Sequence, residues 1–428
     1  MKIIKRDIKN LNLYYLPNKK FKTVEIAFVF VNKMDPVKIN ERNFLVDILL
    51  ESTKKYNNPE KFNLVCDNLY GLDKISNYHT IGDVGLTTFL FRTVNDKYLN
   101  QDDVFAKTLD LCLEVIYNPK IHRGYFSKKS VKELKVQTEE LIMSIKQNKN
   151  SYSYYQFMNE YTKNNQAEFG FFPDIKNIDK INHLTLSSTY KQMVTDDELY
   201  VFIAGNFDFQ VMDELIAEKL SFVIERPKLP LDFTSKFIPN QSVNEVIEKT
   251  SNGQTRIYIG YDLGFEHSLK NIRLMGLFDE LFGGFEKAKL FASIRENLNL
   301  SYYVYSKYNE DSNMFYVGLE TTKEKEAVAI KEVEKQLQAC KMGEIDDELF
   351  NQAKNNIINR LERTMDSQTR LLLSNIISFF KYEDVFNLEK RIAEIQELTK
   401  ADLIDLIQKI NVDTIYIYTS EAKKWKKN

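Results

Sequence analysis

Short apolar runs rich in β-branched and aromatic residues predict the strands of this chain. They cover residues 23–31, 87–94, 256–263, 302–308 and 314–319. Apolar residues spaced three or four positions apart predict helices over 126–146, over 346–365 and after Asp208, which we interpret as an N-cap. In each half of the chain the strands come early and the long helices later. This order predicts an α+β fold in which mostly antiparallel sheets carry helices packed on one face.

A proline-containing stretch near the middle divides the chain. Three of the 8 prolines lie there: Pro227, Pro230 and Pro239. Proline fixes the backbone and lacks an N–H donor, so the stretch predicts an extended linker rather than a helix or strand. We therefore divide the chain into an N-terminal domain over 1–225, a linker over 226–245 and a C-terminal domain over 246–428.

The two halves end in a similar way. In the first half Thr185, interpreted as an N-cap, begins a helical stretch that leads into an apolar strand. In the second half Thr399 occupies the same place before another strand. The offset between the two threonines is half the chain length, which favours an internal duplication over a chance match.

Composition and charge restrict the class of protein. Of the 428 residues, 43% are apolar and 28% are charged, as in a globular protein with sizeable cores. The formal net charge of −2 provides no basic surface for nucleic acid. The strongest apolar run, 26–31, is far shorter than the ~20 residues of a membrane helix, and the first residues lack a signal peptide's apolar core. We therefore expect a cytoplasmic protein with no nucleic-acid or membrane partner.

Cysteine and histidine offer no metal or catalytic site of their own. The cysteines are odd in number and far apart, which predicts neither a disulfide framework nor a zinc cluster: Cys66, Cys112 and Cys340. The histidines are scattered without the paired spacing of metal ligands: His79, His122, His183 and His267. The chain also lacks a serine-hydrolase elbow, a phosphate loop and a dinucleotide fingerprint.

Four ordered blocks of sequence carry a family resemblance. They are an apolar stretch ending in Ser-Thr-Lys-Lys at 43–55, Asp-Asn-Leu-Tyr-Gly at 67–71, Ala-Gly-Asn-Phe-Asp at 204–208, and a Gly-Gly segment followed by Ile-Arg-Glu and a tyrosine-rich run at 281–306. In this order they resemble the pitrilysin/insulinase-type zinc peptidase family, mitochondrial-processing-peptidase-like branch. The resemblance covers nearly the whole chain and implies two duplicated domains that form half of a clamshell chamber.

Active members of that family bind zinc through an HxxEH motif. Two imidazoles one helical turn apart hold the ion, and the glutamate activates the bound water. The matched positions here are Asn43, Val46 and Asp47, and no shift of the alignment restores the motif, because the first histidine of the chain is His79. An amide, a valine and one carboxylate neither hold zinc tightly nor supply a general base. We expect no metal and no catalytic residue in this chain.

The family's active members also place an acidic pair on a later helix, and one of its carboxylates completes the zinc site. Glu133 and Glu140 lie seven residues apart near that position. Because no histidines remain to complete a site with them, we interpret both as solvated charges on a helix face.

Arg295 and Tyr302 match a second functional pair of the family. Their spacing of seven residues is that of the second-domain arginine and tyrosine, which the resemblance places across the chamber from the zinc. A guanidinium binds a carbonyl or carboxylate, and a phenol donates to a developing oxyanion. The resemblance implies that these two side chains bind substrate. The alternative is an ordinary salt-bridge arginine and a tyrosine that fills a strand.

Two-domain chains of this family form paired chambers, and some bacterial members divide the zinc site and the Arg/Tyr pair between two chains. This sequence resembles the YmfF-type non-catalytic bacterial subgroup. The expected partner is a paralogous HxxEH-bearing chain that supplies zinc, and the expected substrate is a short or unfolded peptide. Three alternatives stay open: a purely structural subunit, a stand-alone peptide-binding homodimer, and an active enzyme with a different metal site.

Overall fold

The computed structural model describes residues 3–420, except 9, 101–102, 166–174, 225, 227, 235–236, 252 and 384. Pro227 of the predicted linker therefore lies outside the described residues. No helix within the described ranges is long and apolar enough to cross a membrane.

Strands and helices are numbered separately in chain order. The strands are β1 (Ile4–Arg6), β2 (Asn12–Pro17), β3 (Thr23–Lys33), β4 (Asp73–Ile81), β5 (Val84–Val94), β6 (Ile121–His122), β7 (Tyr125–Phe126), β8 (Glu198–Gly205), β9 (Asn244–Thr250), β10 (Thr255–Asp262), β11 (Tyr303–Asn309), β12 (Met314–Thr321) and β13 (Asn411–Ser420). The helices are α1 (Ile39–Leu49), α2 (Pro59–Asn68), α3 (Val104–Tyr117), α4 (Lys128–Gln147), α5 (Lys149–Tyr161), α6 (Ile175–Lys180), α7 (His183–Thr195), α8 (Phe209–Lys219), α9 (Leu269–Asp279), α10 (Glu326–Lys341), α11 (Asp347–Thr364), α12 (Gln368–Tyr382), α13 (Leu388–Glu397) and α14 (Lys400–Ile407).

The predicted strands and helices coincide with these within a few residues. Asp208 caps α8 as predicted, because its carboxylate accepts from the N–H groups of Gln210 and Val211. Thr399 likewise caps α14. The prediction for Thr185 is wrong, because Asn182 caps α7 and Thr185 is the third helical residue. The Asn182 side-chain oxygen accepts from the Thr185 N–H, and the Asn182 N–H donates to the Thr185 hydroxyl oxygen. Both residues favour helix starts, and only the backbone geometry separates their roles.

The chain folds into two compact units, each built around one sheet. The first sheet has the strand order β1-β2-β8-β3-β5-β4, and the second reads β9-β13-β10-β12-β11 from its opposite end. The two orders correspond strand by strand if the extra strand β1 is left out. In this correspondence β2, β8, β3, β5 and β4 of the first sheet match β9, β13, β10, β12 and β11 of the second. In both sheets the first and last of these strands pair in parallel, and the other pairs are antiparallel. The predicted α+β fold with two duplicated units is confirmed.

Each unit also contains a helix from the other half of the chain. The first unit comprises Met1–Met143, Pro173–Phe233 and Thr364–Asn387, so it includes α12. The second comprises Ser144–Phe172, Thr234–Arg363 and Leu388–Asn428, so it includes α5. The division at a single linker therefore omits two reciprocal exchanges.

The exchanged helix α12 covers one face of the first sheet. Leu372, Ile376 and Phe380 of α12 pack in a buried cluster with Ala27 and Val29 of the central strand β3. Phe28, which lies between them on β3, points to the opposite face and is also buried. This two-sided burial explains why β3 is a nearly continuous apolar run. We predicted helices on one face of each sheet. In the first unit the structure has an additional helix, α12, on the other face.

The exchanged helix α5 packs against the second sheet, and its Tyr161 side chain makes the close contact. The Tyr161 ring lies over Gly260 of β10, where an added Cβ would stand 2.6 Å from a ring carbon. The Tyr161 hydroxyl donates to the carbonyls of Tyr261 and Phe315. Gly260 is therefore needed for close approach, and the hydroxyl satisfies buried backbone acceptors.

Candidate functional site

Helix α1 presents the positions that match the zinc motif. Asn43 and Asp47 are exposed one turn apart on the same face, whereas Val46 is buried. Although Asp47 is exposed, the surrounding protein atoms partly exclude water from its carboxyl group, and this desolvation raises its pKa. Within the described part of the chain, no group of three or more His, Cys, Asp or Glu side chains is placed to hold a metal ion. One carboxylate and one amide do not fit the ligand set of zinc.

Buried polar contacts fix α1 without a metal. The Arg42 guanidinium pairs with both oxygens of Asp197, and both side chains are almost completely buried. Thr189 of α7 donates to Glu41, and Lys38 Nζ donates to Gln192 Oε1 at 2.6 Å. Helix α1 is therefore anchored to α7 and to the residue before β8. Sequence reasoning missed Arg42, because nothing in the local pattern distinguishes a buried arginine from a surface one.

Carboxylates lie near the altered motif. Glu51, just beyond α1, has a pKa raised by burial and then by the negative charges of Glu133 and Asp47. Glu133 and Glu140 both lie on the exposed side of α4, and Glu133 Oε1 is 3.7 Å from Lys129 Nζ. Glu133 is therefore close enough to the end of α1 for its negative charge to raise the pKa of Glu51.

The histidines lie on different elements or loops of the fold. His79 lies in β4, His122 in β6, and His183 at the start of α7. A ring nitrogen of His267 is within hydrogen-bond distance of the Glu310 carbonyl.

Arg295 and Tyr302 are in contact. Arg295 belongs to the π-helical turn Phe291–Asn297, and its guanidinium carbon lies 4.4 Å from the ring centre of Phe291 and 4.5 Å from that of Tyr302. These are cation–π distances. The Arg295 side chain is 32% exposed and Tyr302 is 79% exposed. The guanidinium is thus held against two rings while part of it and most of the tyrosine remain accessible.

Phe291 is a member of this stack that sequence reasoning missed. Its signal was the spacing of four residues to Arg295, which places two side chains on the same face of a helix. Tyr302 directly precedes β11, which pairs with β12 alone among the described strands. The stack therefore stands beside a sheet edge.

Comparisons with known proteins agree with the resemblance inferred from the sequence blocks. Residues 180–357 match the family model described as Peptidase M16 inactive domain. The chain is 26% identical over 414 residues to "Probable inactive metalloprotease YmfF" of Bacillus subtilis (strain 168), with 95% of each protein covered.

Two solved structures share the fold over almost their full length. A conserved protein from Enterococcus faecalis V583 superimposes with a TM-score of 0.91 at 20% identity, with 99% of each chain covered. The peptidase M16 inactive domain from Pseudomonas fluorescens gives a TM-score of 0.79 at 14% identity, again with 99% of each chain covered.

Proposed function

We propose that this chain, which is similar to M16-type peptidases of the pitrilysin/insulinase type and lacks their zinc motif, is the non-catalytic subunit of a two-chain zinc peptidase. An HxxEH-bearing paralogue supplies the zinc and the general base. This chain supplies part of the chamber and binds the peptide substrate through Arg295 and Tyr302. We place the complex in the cytoplasm.

One contrast carries the proposal. The zinc-motif positions hold Asn43, Val46 and Asp47, whereas the positions of the Arg/Tyr pair keep both residues in contact. A purely structural subunit needs neither an accessible guanidinium nor a 79% exposed tyrosine. A chain that binds the peptide while its partner supplies the zinc needs both.

The stack suits binding of an extended peptide. The rings of Phe291 and Tyr302 restrict the Arg295 guanidinium, so less side-chain entropy is lost when its N–H groups bind a peptide carbonyl or carboxylate. The accessible Tyr302 phenol can donate a second hydrogen bond.

The test is co-expression with an HxxEH-bearing paralogue, followed by measurement of complex formation and peptide cleavage. We expect the paralogue alone to cleave poorly and the complex to cleave efficiently. Arg295→Ala and Tyr302→Phe should each lower kcat/KM by about tenfold or more, as expected for the loss of a charge-assisted or oxyanion hydrogen bond. Arg123→Ala and Tyr98→Phe, at exposed positions in the first unit, are the matched controls.

The other outcomes separate the alternative functions. If the complex forms but both site variants cleave normally, the chain is a structural subunit. If no paralogue binds and the isolated chain binds peptide, it is a stand-alone peptide-binding protein. Equal cleavage by the paralogue with and without this chain would refute the shared site.

A further inference from the structure

One edge of the second sheet is open in the part of the chain that the structure describes. The backbone of β9 forms hydrogen bonds with β13, to which it runs parallel, and with no other described segment. The first sheet differs, because β2, which corresponds to β9, also pairs antiparallel with the extra strand β1. The unpaired N–H and C=O groups of β9 therefore offer a place for an antiparallel strand that the first sheet has already filled.

One face of β9 is held in place by packing. Val246 packs against the buried aromatic cluster between the sheet and α5. The Glu248 carboxylate accepts from the hydroxyl of Tyr152 at 2.8 Å and from that of Tyr416 at 2.6 Å. The edge strand is thus ordered in an extended conformation before any partner arrives, so little backbone entropy remains to be lost on pairing.

The opposite face of β9 is exposed. Ile247 is 54% exposed although it is a large apolar residue. Glu245 and Lys249, two positions before and after it, point to the same side and are exposed as well. An apolar side chain between two opposite charges is therefore presented beside the open edge.

The charges on this face select one way of pairing two copies of β9. In an antiparallel pair with its two-fold axis at Ile247, the two isoleucines lie opposite each other and Glu245 of each copy lies opposite Lys249 of the other. An axis at Glu245 or Lys249 would instead oppose like charges, and an axis at Val246 or Glu248 would oppose a charge and Ile247. Opposite charges directly across two strands stabilise the pair, and like charges destabilise it. The exposed face is thus self-complementary in one register.

We propose that β9 is a self-association edge, on which a second copy of this chain adds its own β9 antiparallel in the register centred on Ile247. The second copy's strand takes the place beside β9 that β1 takes beside β2, and the two second sheets join into one continuous sheet. Backbone hydrogen bonds hold the strands together, and the paired isoleucines remove apolar surface from water. This dimer needs only the chain itself, so it forms whether or not an HxxEH-bearing paralogue binds.

Sedimentation velocity of the purified full chain over a range of concentrations tests the proposal. A single strand pair is a small interface, so we expect a concentration-dependent dimer with a Kd on the order of 10⁻⁵ M. Neutralising one exposed charge costs little, so charge reversal is the informative change. Glu245→Lys and Lys249→Glu each place like charges opposite each other at two symmetric positions and should each raise the Kd by about tenfold or more.

Mixing the two variants provides the decisive measurement. When a Glu245→Lys chain pairs with a Lys249→Glu chain in this register, both positions again hold opposite charges. An equimolar mixture should therefore form a heterodimer with about the wild-type Kd, although each variant alone associates poorly. Glu362→Lys, at an exposed position of α11, is the matched control and should dimerise like the wild type.

Substitution of the central residue is a second, independent test. Ile247→Lys opposes two lysines at the two-fold axis and should abolish the dimer, whereas Val211→Lys, at a 65% exposed position of the first unit, should not. If a reversal variant fails to fold, this pair of variants decides. A wild-type chain that stays monomeric well above the expected Kd, a dimer that survives both reversals, or a mixture that does not associate would overturn the proposal.

Discussion

Glu25 is a buried carboxyl group near the start of the central strand β3, and its substitution by glutamine should stabilise the protein at alkaline pH. The side chain is fully buried under the start of α12, where Thr369 Oγ1 donates to its Oε1 at 2.6 Å. Its second oxygen is buried without a hydrogen-bond partner. The nearby Arg92 guanidinium is paired with Asp73 at 2.6 Å. Ionised Glu25 is therefore poorly compensated.

The magnitude follows from the pKa of this group. Burial raises the pKa of Glu25 from its ordinary 4.5 to about 7, against the opposing effects of Thr369 and Arg92. The difference of about 2.5 units, at 1.36 kcal/mol each, corresponds to about 3 kcal/mol. The folded state keeps the proton up to about pH 7, whereas the unfolded chain releases it near 4.5. This contribution to stability is therefore full below pH 4.5, falls between pH 4.5 and 7, and is lost above 7.

Scanning calorimetry of wild type and Glu25→Gln across this pH range measures the effect. The two proteins should have similar melting temperatures at low pH. At about pH 8 the variant should melt several degrees higher, given roughly 2–4 °C per kcal/mol for units of this size. Glu245→Gln, an exposed strand glutamate in β9, is the control and should change little at any pH. A constant difference between Glu25→Gln and wild type over the whole range would refute the assigned titration.

Three further predictions concern buried groups. Asp197→Ala leaves the buried Arg42 guanidinium without its partner and should lower the free energy of unfolding by about 3–5 kcal/mol in urea denaturation; an unchanged midpoint would contradict the buried pair. Tyr161→Phe deprives two backbone carbonyls of a donor and should cost about 1–3 kcal/mol in the same assay, whereas Tyr125→Phe at an exposed site should be neutral. Burial raises the pKa of Cys340 to about 12, so a thiol reagent should label it only as the protein unfolds; rapid labelling of folded protein would show that the thiol is accessible.

The sequence by itself determined the type and approximate limits of the main strands and helices, the duplication and the family resemblance. Periodic apolar patterns are local, so β3 and α4 could be predicted without any knowledge of their neighbours. The altered zinc motif was equally readable, because Asn43, Val46 and Asp47 differ from metal ligands in their own chemistry.

The tertiary structure alone decided which surfaces meet. An amphipathic pattern shows that one face of α5 or α12 is buried but not against which sheet, so the exchange of these helices between units left no local signal. The same holds for Arg42, whose pairing with Asp197 joins residues 155 positions apart. It holds as well for the guanidinium of Arg295, whose placement against Tyr302 depends on the turn between them. Contacts between distant residues depend on how the chain returns to itself, and local residue preferences do not contain that information.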